Sequence, residues 1–313
     1  MPLNNDIRTL VIGGYGLIGS RLVPLLVQSG RKTTILDVHQ EPPRKLPPDT
    51  NYISGDYGSP GLIAKLLEEN DEIIHLAYST TPNTSFNSPD ADITENLIPS
   101  VRLLSIAASK QCRVLFLSSG GTVYGEAQHL PLSENHPRCP VSPYGITKLT
   151  LERYAFFFSL SQGLDFMCIR PSNVFGPGQY PFKGQGFIAT AIASCIQHIP
   201  VKIFGKNGTI RDYIYIDDVA DGILAAADNW RSGETYNLGS GTGRSNMDVI
   251  EAIKPLVEEM GGSVAVENLP ERAFDVKSNI LDSRKIMEQT NWTPTTDFHQ
   301  GLATTRDWLI KIL

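Results

Sequence analysis

The hydrophobic pattern of the first half of the chain switches between two periods. Short apolar, β-prone runs at 9–12, 33–37, 51–53, 72–77, 113–117 and 165–170 predict strands. Between them, apolar residues at helical spacing predict helices, first through Leu22, Val23, Leu25 and Leu26, then over 62–67, 92–109 and 144–162. Pro24 lies inside the first helix and removes one backbone bond from it. Strand and helix in alternation imply an α/β fold built on a parallel, doubly wound sheet. Past Pro177 the rhythm loosens. A Gly/Pro-rich loop at 178–186 leads to a helix at 187–197, strands at 201–204 and 213–216, a helix at 219–228 and a strand at 234–238. A helix at 247–260, a strand at 264–267 and a last helix at 298–312 complete a smaller C-terminal α/β lobe. The expected division is therefore 1–172 and 173–313, with segments near 212–240 completing the sheet of the first part.

The first strand runs into Gly13-Gly14-Tyr15-Gly16-Leu17-Ile18-Gly19 and then into the first helix. Strand, glycine turn and helix form the context of a dinucleotide site. Gly13 permits the tight turn, Gly16 lets the backbone approach a pyrophosphate, and Gly19 lets helix and strand pack closely. The helix then turns unpaired N–H groups and a positive dipole end toward the phosphates. Asp37 closes the second strand, about 20 residues beyond the glycines, where a carboxylate accepts both adenosine ribose hydroxyls and repels a 2′-phosphate. No arginine adjoins it in the sequence, so NAD is expected rather than NADP. Asp56, in the turn 55–57, could accept from the adenine amino group or be an ordinary acidic turn residue.

Charge and composition narrow the remaining classes. The 313 residues carry a net charge of −6 with no basic block, so the electrostatic footprint of a nucleic-acid binder is missing. Residues 1–6 hold no secretory signal, and no run approaches the ~18 apolar residues of a membrane span. A cytoplasmic protein without membrane partners is expected. Cys112, Cys139, Cys168 and Cys195 are widely spaced and the six histidines scattered, so four buried, reduced cysteines and no metal site are expected. Without a Gly-x-Ser-x-Gly, a serine hydrolase is excluded.

The candidate chemistry lies in Tyr144-Gly-Ile-Thr-Lys148, at the start of the helix 144–162. Residues four apart share a helix face, so phenol and ammonium look into one space. A free tyrosine has a pKa of about 10, and a fixed cation beside it favours the phenolate, which makes a general base or acid without histidine. Upstream, Ser118, Ser119 and Thr122 crowd hydroxyls at the end of the strand 113–117, either to bond a substrate oxygen or because the turn needs small residues. The helix 144–162 is apolar almost all round, so its outer face requires a second cover. A partner subunit is expected there, giving a homodimer through the helices 92–109 and 144–162.

These pieces together resemble the extended short-chain dehydrogenase/reductase family, and most of all nucleotide-sugar epimerases of the UDP-glucose 4-epimerase type. The matching residues are the Gly13/Gly16/Gly19 loop, Asp37, Gly55-Asp56, His75-Leu76-Ala77, Asn96, Ser118-Ser119, Val123-Tyr124-Gly125, Tyr144-x-x-x-Lys148, Arg170-Pro171-x-Asn173, Arg211-Asp-Tyr213 and Arg272-x-x-Asp275. The resemblance implies a Rossmann sheet with a C-terminal substrate-binding lobe. It gives NAD the glycine loop with Leu17 and Ile18, Asp37, Asp56, Tyr57, Leu76, Ala77, Asn96, Ser118, Pro171, Tyr144 and Lys148. It places Asn173, Arg211 and Arg272 on the diphosphate of a nucleotide sugar, Lys202 or Phe204 near the base, and Asn279 at the sugar pocket, where its intermediate bulk would admit acetamido sugars.

One position departs from that pattern. The Ser or Thr that 4-epimerases place four residues before the Val-Tyr-Gly tyrosine is Gly120, so Ser119, Thr122 or a water replaces the hydroxyl, or it is dispensable. The Asp-Glu pair of 4,6-dehydratases is Gly121-Thr122, which argues against dehydration. The implied activity is inversion at sugar C4 through a 4-keto intermediate, on UDP-glucose and UDP-galactose or N-acetyl analogues. The alternatives are a nucleotide-sugar reductase, an epimerase acting at another carbon, or a non-catalytic NAD-sensing protein, which would commonly lack the Tyr–Lys pair.

Overall fold

A computed structural model of the chain describes residues 7–42, 44–272 and 275–313. In chain order the strands are β1 (Arg8–Ile12), β2 (Lys32–Asp37), β3 (Asn51–Ser54), β4 (Glu72–His75), β5 (Arg113–Leu117), β6 (Phe166–Pro171), β7 (Asn173–Phe175), β8 (Val201–Phe204), β9 (Ile210–Tyr215), β10 (Thr235–Leu238), β11 (Gly243–Ser245), β12 (Val266–Leu269) and β13 (Ser278–Asn279). Seven of them form one sheet in the order β10-β6-β5-β4-β1-β2-β3, and every pairing in it is parallel. The order reverses between β1 and β4, where a doubly wound sheet opens its ligand crevice at the strands' C-terminal ends. Segment 235–238 joins this sheet beside β6, whereas 210–215 does not; β9 instead binds β7, β11 and β13 in a small second sheet.

The described helices are α1 (Gly19–Gln28), α2 (Pro60–Leu66), α3 (Pro82–Asn87), α4 (Pro89–Asp92), α5 (Ile98–Lys110), α6 (Pro143–Gln162), α7 (Phe187–Ile196), α8 (Ile216–Asp228), α9 (Asn246–Glu258), α10 (Arg284–Thr290) and α11 (Phe298–Ile312), of which α7, α9 and α11 belong to the smaller lobe. One apolar core joins α2, α5 and α6 to the sheet through Leu66, Leu103, Leu104, Leu151 and Phe158. A second, on the opposite face, joins α1, α8 and α10 through Leu22, Leu26, Val219, Ile223 and Ile286. The smaller lobe has its own core around Ile192, Ile203, Ile253 and Leu302.

Two expectations are corrected. The helix anticipated over 92–109 is interrupted: a π turn at Ile93–Leu97 separates α4 from α5. Pro99 has no N–H for the Glu95 carbonyl, and Tyr57 Oη donates to that carbonyl instead, at 3.2 Å. Cys139 is exposed, because the Pro-rich stretch before α6 runs over the surface; Cys112, Cys168 and Cys195 are buried, and all four are free.

Helix α6 is fixed to the sheet by charged groups as well as apolar ones. Fully buried Arg170 on β6 grips Glu152 on α6 with two bonds, Nε–Oε1 2.8 Å and Nη2–Oε2 2.6 Å. Its remaining nitrogen donates to Tyr124 Oη at 2.8 Å, and that hydroxyl donates to Asn237 on β10 at 2.6 Å. A bidentate pair allows little rotation, so the face that α6 turns to the sheet is set. Lys148 lies one turn before Glu152 on that face.

Candidate active site

A cavity of about 1700 Å³ opens along the C-terminal ends of the strands and runs into the smaller lobe. At its β1–β2 end lies the glycine loop. Gly13 adopts φ +81°, and a Cβ there would stand 2.8 Å from Ala77 Cα, so the residue has to be glycine for β1 and the loop after β4 to meet. Gly16, Leu17, Ile18, Gly19, Asp37, Asp56, Tyr57, Leu76 and Ala77 all line this end. The Asp37 carboxylate accepts from Tyr15 N–H at 3.1 Å and contacts His39 Nδ1 at 2.7 Å, which fixes its direction. The fold also brings Arg44 to Tyr15, with its guanidinium 5.0 Å from the ring centroid, although Arg44 is not adjacent to Asp37 in sequence. Asp56 accepts from Gly58 N–H at 2.8 Å, and burial pushes the Tyr57 phenol up to about 12.

Midway along the cavity stand Ser118, Ser119, Thr122, Tyr144, Lys148 and Pro171. Ser142 caps α6 by accepting from Gly145 N–H at 3.1 Å, so the helix begins where the tyrosine must point inward. Lys148 is buried, donates to the Leu117 carbonyl at 2.8 Å and lies 5.5 Å from the Tyr144 ring centroid. Burial lowers the Lys148 ammonium to about 7, against the opposing pull of Cys168, Asp92 and Glu152. Burial, with Asp92 adding to it, raises the Tyr144 phenol above its ordinary value. In the ligand-free chain burial therefore sets both groups, raising the phenol and lowering the ammonium.

At the far end, Asn173, Lys202, Phe204, Arg211 and Arg272 line the wall. The Arg272 guanidinium covers the Phe204 ring at 4.1 Å and donates to Asp275 at 2.8 Å. Arg211 donates to the Ile210 carbonyl at 2.8 Å, and burial lowers its guanidinium. No carboxylate lies within ion-pair distance of Arg211 among the described residues, so its charge is under-compensated where an anion could meet it. The cavity is thus acidic at one end and basic at the other.

Two anticipated residues lie elsewhere. Asn96 does not line the cavity. It is fully buried in the π turn, accepting from Ser79 N–H at 2.8 Å and donating to Thr80 Oγ1 at 3.3 Å, so it fastens the loop after β4. Asn279 lies behind the wall and donates to the Gly120 carbonyl at 2.9 Å. That carbonyl belongs to the position where a hydroxyl was expected. A Cβ on Gly120 would meet Leu281 Cδ1 at 2.4 Å and the Arg170 carbonyl at 2.9 Å, so a side chain there would enter the core. Thr122 Oγ1 and Ser118 Oγ, by contrast, are buried without a partner among the described residues. Such orphaned hydroxyls fit a site that a ligand completes. Sequence reasoning missed Tyr78, Asn83, Thr209 and Asn246 on the cavity wall; adjacency to His75-Leu76-Ala77 was a signal for Tyr78 alone.

Residues 9–239 match the model of the NAD dependent epimerase/dehydratase family. The chain belongs to that family. It is 33% identical over 306 residues to the UDP-glucose 4-epimerase of Mycolicibacterium smegmatis, covering 95% of this chain and 97% of the relative. A dTDP-glucose 4,6-dehydratase of Streptomyces antibioticus is 28% identical, with coverage of 96% and 91%. Among solved structures, the Thermotoga maritima UDP-glucose 4-epimerase with UDP-glucose superposes with a TM-score of 0.90 at 29% identity, over 98% of this chain and 99% of that one. The Thermus thermophilus UDP-glucose 4-epimerase in complex with NAD gives 0.88 at 28%, over 98% and 100%. This family member is thus an extended short-chain dehydrogenase/reductase with NAD as its cofactor. The glycine loop against Ala77, the directed Asp37 carboxylate and the unpartnered Ser118 hydroxyl suit that group.

Burial of Lys148 gives a testable pH effect. Its folded pKa of about 7 lies below the ordinary lysine value of 10.5, so the unfolded chain binds more protons between those limits. The penalty is full below about pH 7 and fades toward 10.5, so this group makes stability rise with pH over that window. Lys148→Met should raise the melting temperature of the ligand-free protein by several degrees at pH 7, and the gain should shrink by pH 9.5. Thermal unfolding at the two pH values measures it.

Proposed function

We propose that this family member inverts the C4 centre of a nucleotide-diphosphate sugar through a 4-keto intermediate, with UDP-glucose and UDP-galactose or their N-acetyl analogues as substrates. The observation that carries this reading is the order of groups along one cavity: dinucleotide loop and Asp37, then Tyr144 and Lys148, then Asn173, Arg211 and Arg272. A sugar nucleotide whose diphosphate is held by the arginines would reach the tyrosine with its hexose. Bound NAD supplies the hydride acceptor and donor that inversion at a carbinol carbon requires.

Tyr144 accepts the C4 hydroxyl proton as the carbonyl forms and returns it to the same oxygen after the sugar has turned, so no proton is gained or lost overall. Raising the phenol makes its ionised form the stronger base for the departing step and a weaker acid for the return. The departing step needs positive charge nearby, which Lys148 provides when protonated. Ser119 and Thr122 replace the hydroxyl missing at Gly120, since both line the cavity. Gly121 and Thr122 offer no carboxyl group for removing water from C5–C6, which favours epimerase over dehydratase within this family.

We further propose a homodimer. The outer face of α6 leaves Ile146, Tyr154, Phe156, Phe157 and Leu160 exposed, Leu160 by 74%, and Ile93 and Ile98 continue the patch. Apolar surface of this extent calls for a cover, and no described helix is long and apolar enough to cross a membrane. A second copy meeting the same face would form an isologous interface.

Tyr144→Phe should lower kcat for interconverting UDP-glucose and UDP-galactose by about 10²–10⁴-fold with NAD still bound; activity near wild type would remove Tyr144 from the proton-transfer role. Leu160→Arg should shift the sedimenting species from dimer to monomer, and an unchanged dimer would place the interface elsewhere.

A further inference from the structure

Beside the tyrosine–lysine pair stands a third residue of the cavity wall, Tyr78, directly after the His75-Leu76-Ala77 run. Its ring faces Lys148, with Nζ 3.6 Å from the ring centroid. The same ring meets that of Tyr144 edge-on, centroids 5.0 Å apart. At its outer end the hydroxyl donates to Asp92 Oδ2 over a long 3.5 Å. Asp92 is fully buried at the end of α4, and its other oxygen accepts from Thr80 Oγ1 and from Asn96 Nδ2.

We infer that Tyr78 is a positioning residue for the reaction: its face holds the Lys148 ammonium at the cavity wall beside Tyr144, and Asp92 orients the ring. This rests on the reading that Tyr144 and Lys148 carry the chemistry. An ammonium has three donors. The Leu117 carbonyl takes one and the Tyr78 face attracts the charge from a second side, which leaves a donor for a ligand in the cavity.

The surroundings of Lys148 leave the ring little competition. On α6, Glu152 is engaged by Arg170 and the Tyr144 phenol is raised by burial. On β6, the Cys168 thiol is pushed well up by burial, and on β4 burial and Lys148 together keep His75 neutral, at about 3. Asp92, on α4, stands on the far side of Tyr78. No carboxylate comes within ion-pair distance of Lys148 among the described residues. A desolvated cation gains most from an aromatic face, because water no longer competes for it. A leucine in the same place would exclude water equally and offer no such attraction.

The test follows Lys148 directly in the NAD-saturated protein by NMR of lysine labelled with ¹³C at Cε, with Lys148→Met identifying its signal. In Tyr78→Leu the titration midpoint should fall by about one pH unit relative to wild type, and by clearly less in Tyr78→Phe, which keeps the ring. The alkaline limb of kcat for UDP-glucose inversion should move with it. An unchanged midpoint in Tyr78→Leu, or an equal fall in Tyr78→Phe, overturns the inference. Should Tyr78→Leu not fold, Tyr78→Met is held to the same criterion. The NMR midpoint needs no turnover: a fall in a protein that leaves UDP-glucose unchanged would refute the proposed substrate while the hold of Tyr78 on Lys148 stands.

Discussion

The structure turns on one buried ammonium. Lys148 lies at the cavity wall with the Leu117 carbonyl on one side and the Tyr78 ring on the other, one helical turn from Tyr144. Removing such a charge from water is costly, and only well-placed partners make it tolerable. Those partners require α6 to present one face and no other. The Glu152–Arg170 pair enforces this one turn further on, and Arg170 passes the constraint through Tyr124 to Asn237 on β10. A buried bidentate pair fixes the position of the elements it joins. Here the position it fixes is that of a phenol at the cavity.

Much of the site was legible in the sequence because it is local. A glycine loop, the acid closing the next strand and a tyrosine four residues before a lysine depend on spacing within one turn or one strand–helix unit. Tyr78 was not legible, since the Lys148 that gives it meaning is distant in sequence and meets it only across the sheet. Asn96 was misplaced for a different reason. A straight helix would have turned it otherwise, but Pro99 forces a π turn that sends its amide to the loop at Ser79 and Thr80. At Gly120 the missing hydroxyl was legible, while the direction of the missing Cβ, into Leu281 and the Arg170 carbonyl, was not.

The charge along the cavity separates holding from reacting. Acidic groups gather near the glycine loop, basic groups at the far end, and hydroxyls with the phenol between them. A ligand anchored through its phosphates leaves its remote end free to turn, which inversion of a carbon centre demands and a fixed substrate would forbid. Relatives in the same family are named for epimerisation and for dehydration, and in the proposed reading the distinction lies in the few groups that would face the sugar. Gly121 and Thr122 bring no acid there.

UDP-glucose carrying deuterium at C4 addresses this reading most directly. Incubated with the NAD-loaded protein and followed by NMR, it should yield UDP-galactose with the deuterium still at C4, and no label in solvent. A product that has lost water and carries the deuterium at C6, or label released to solvent, would contradict the account.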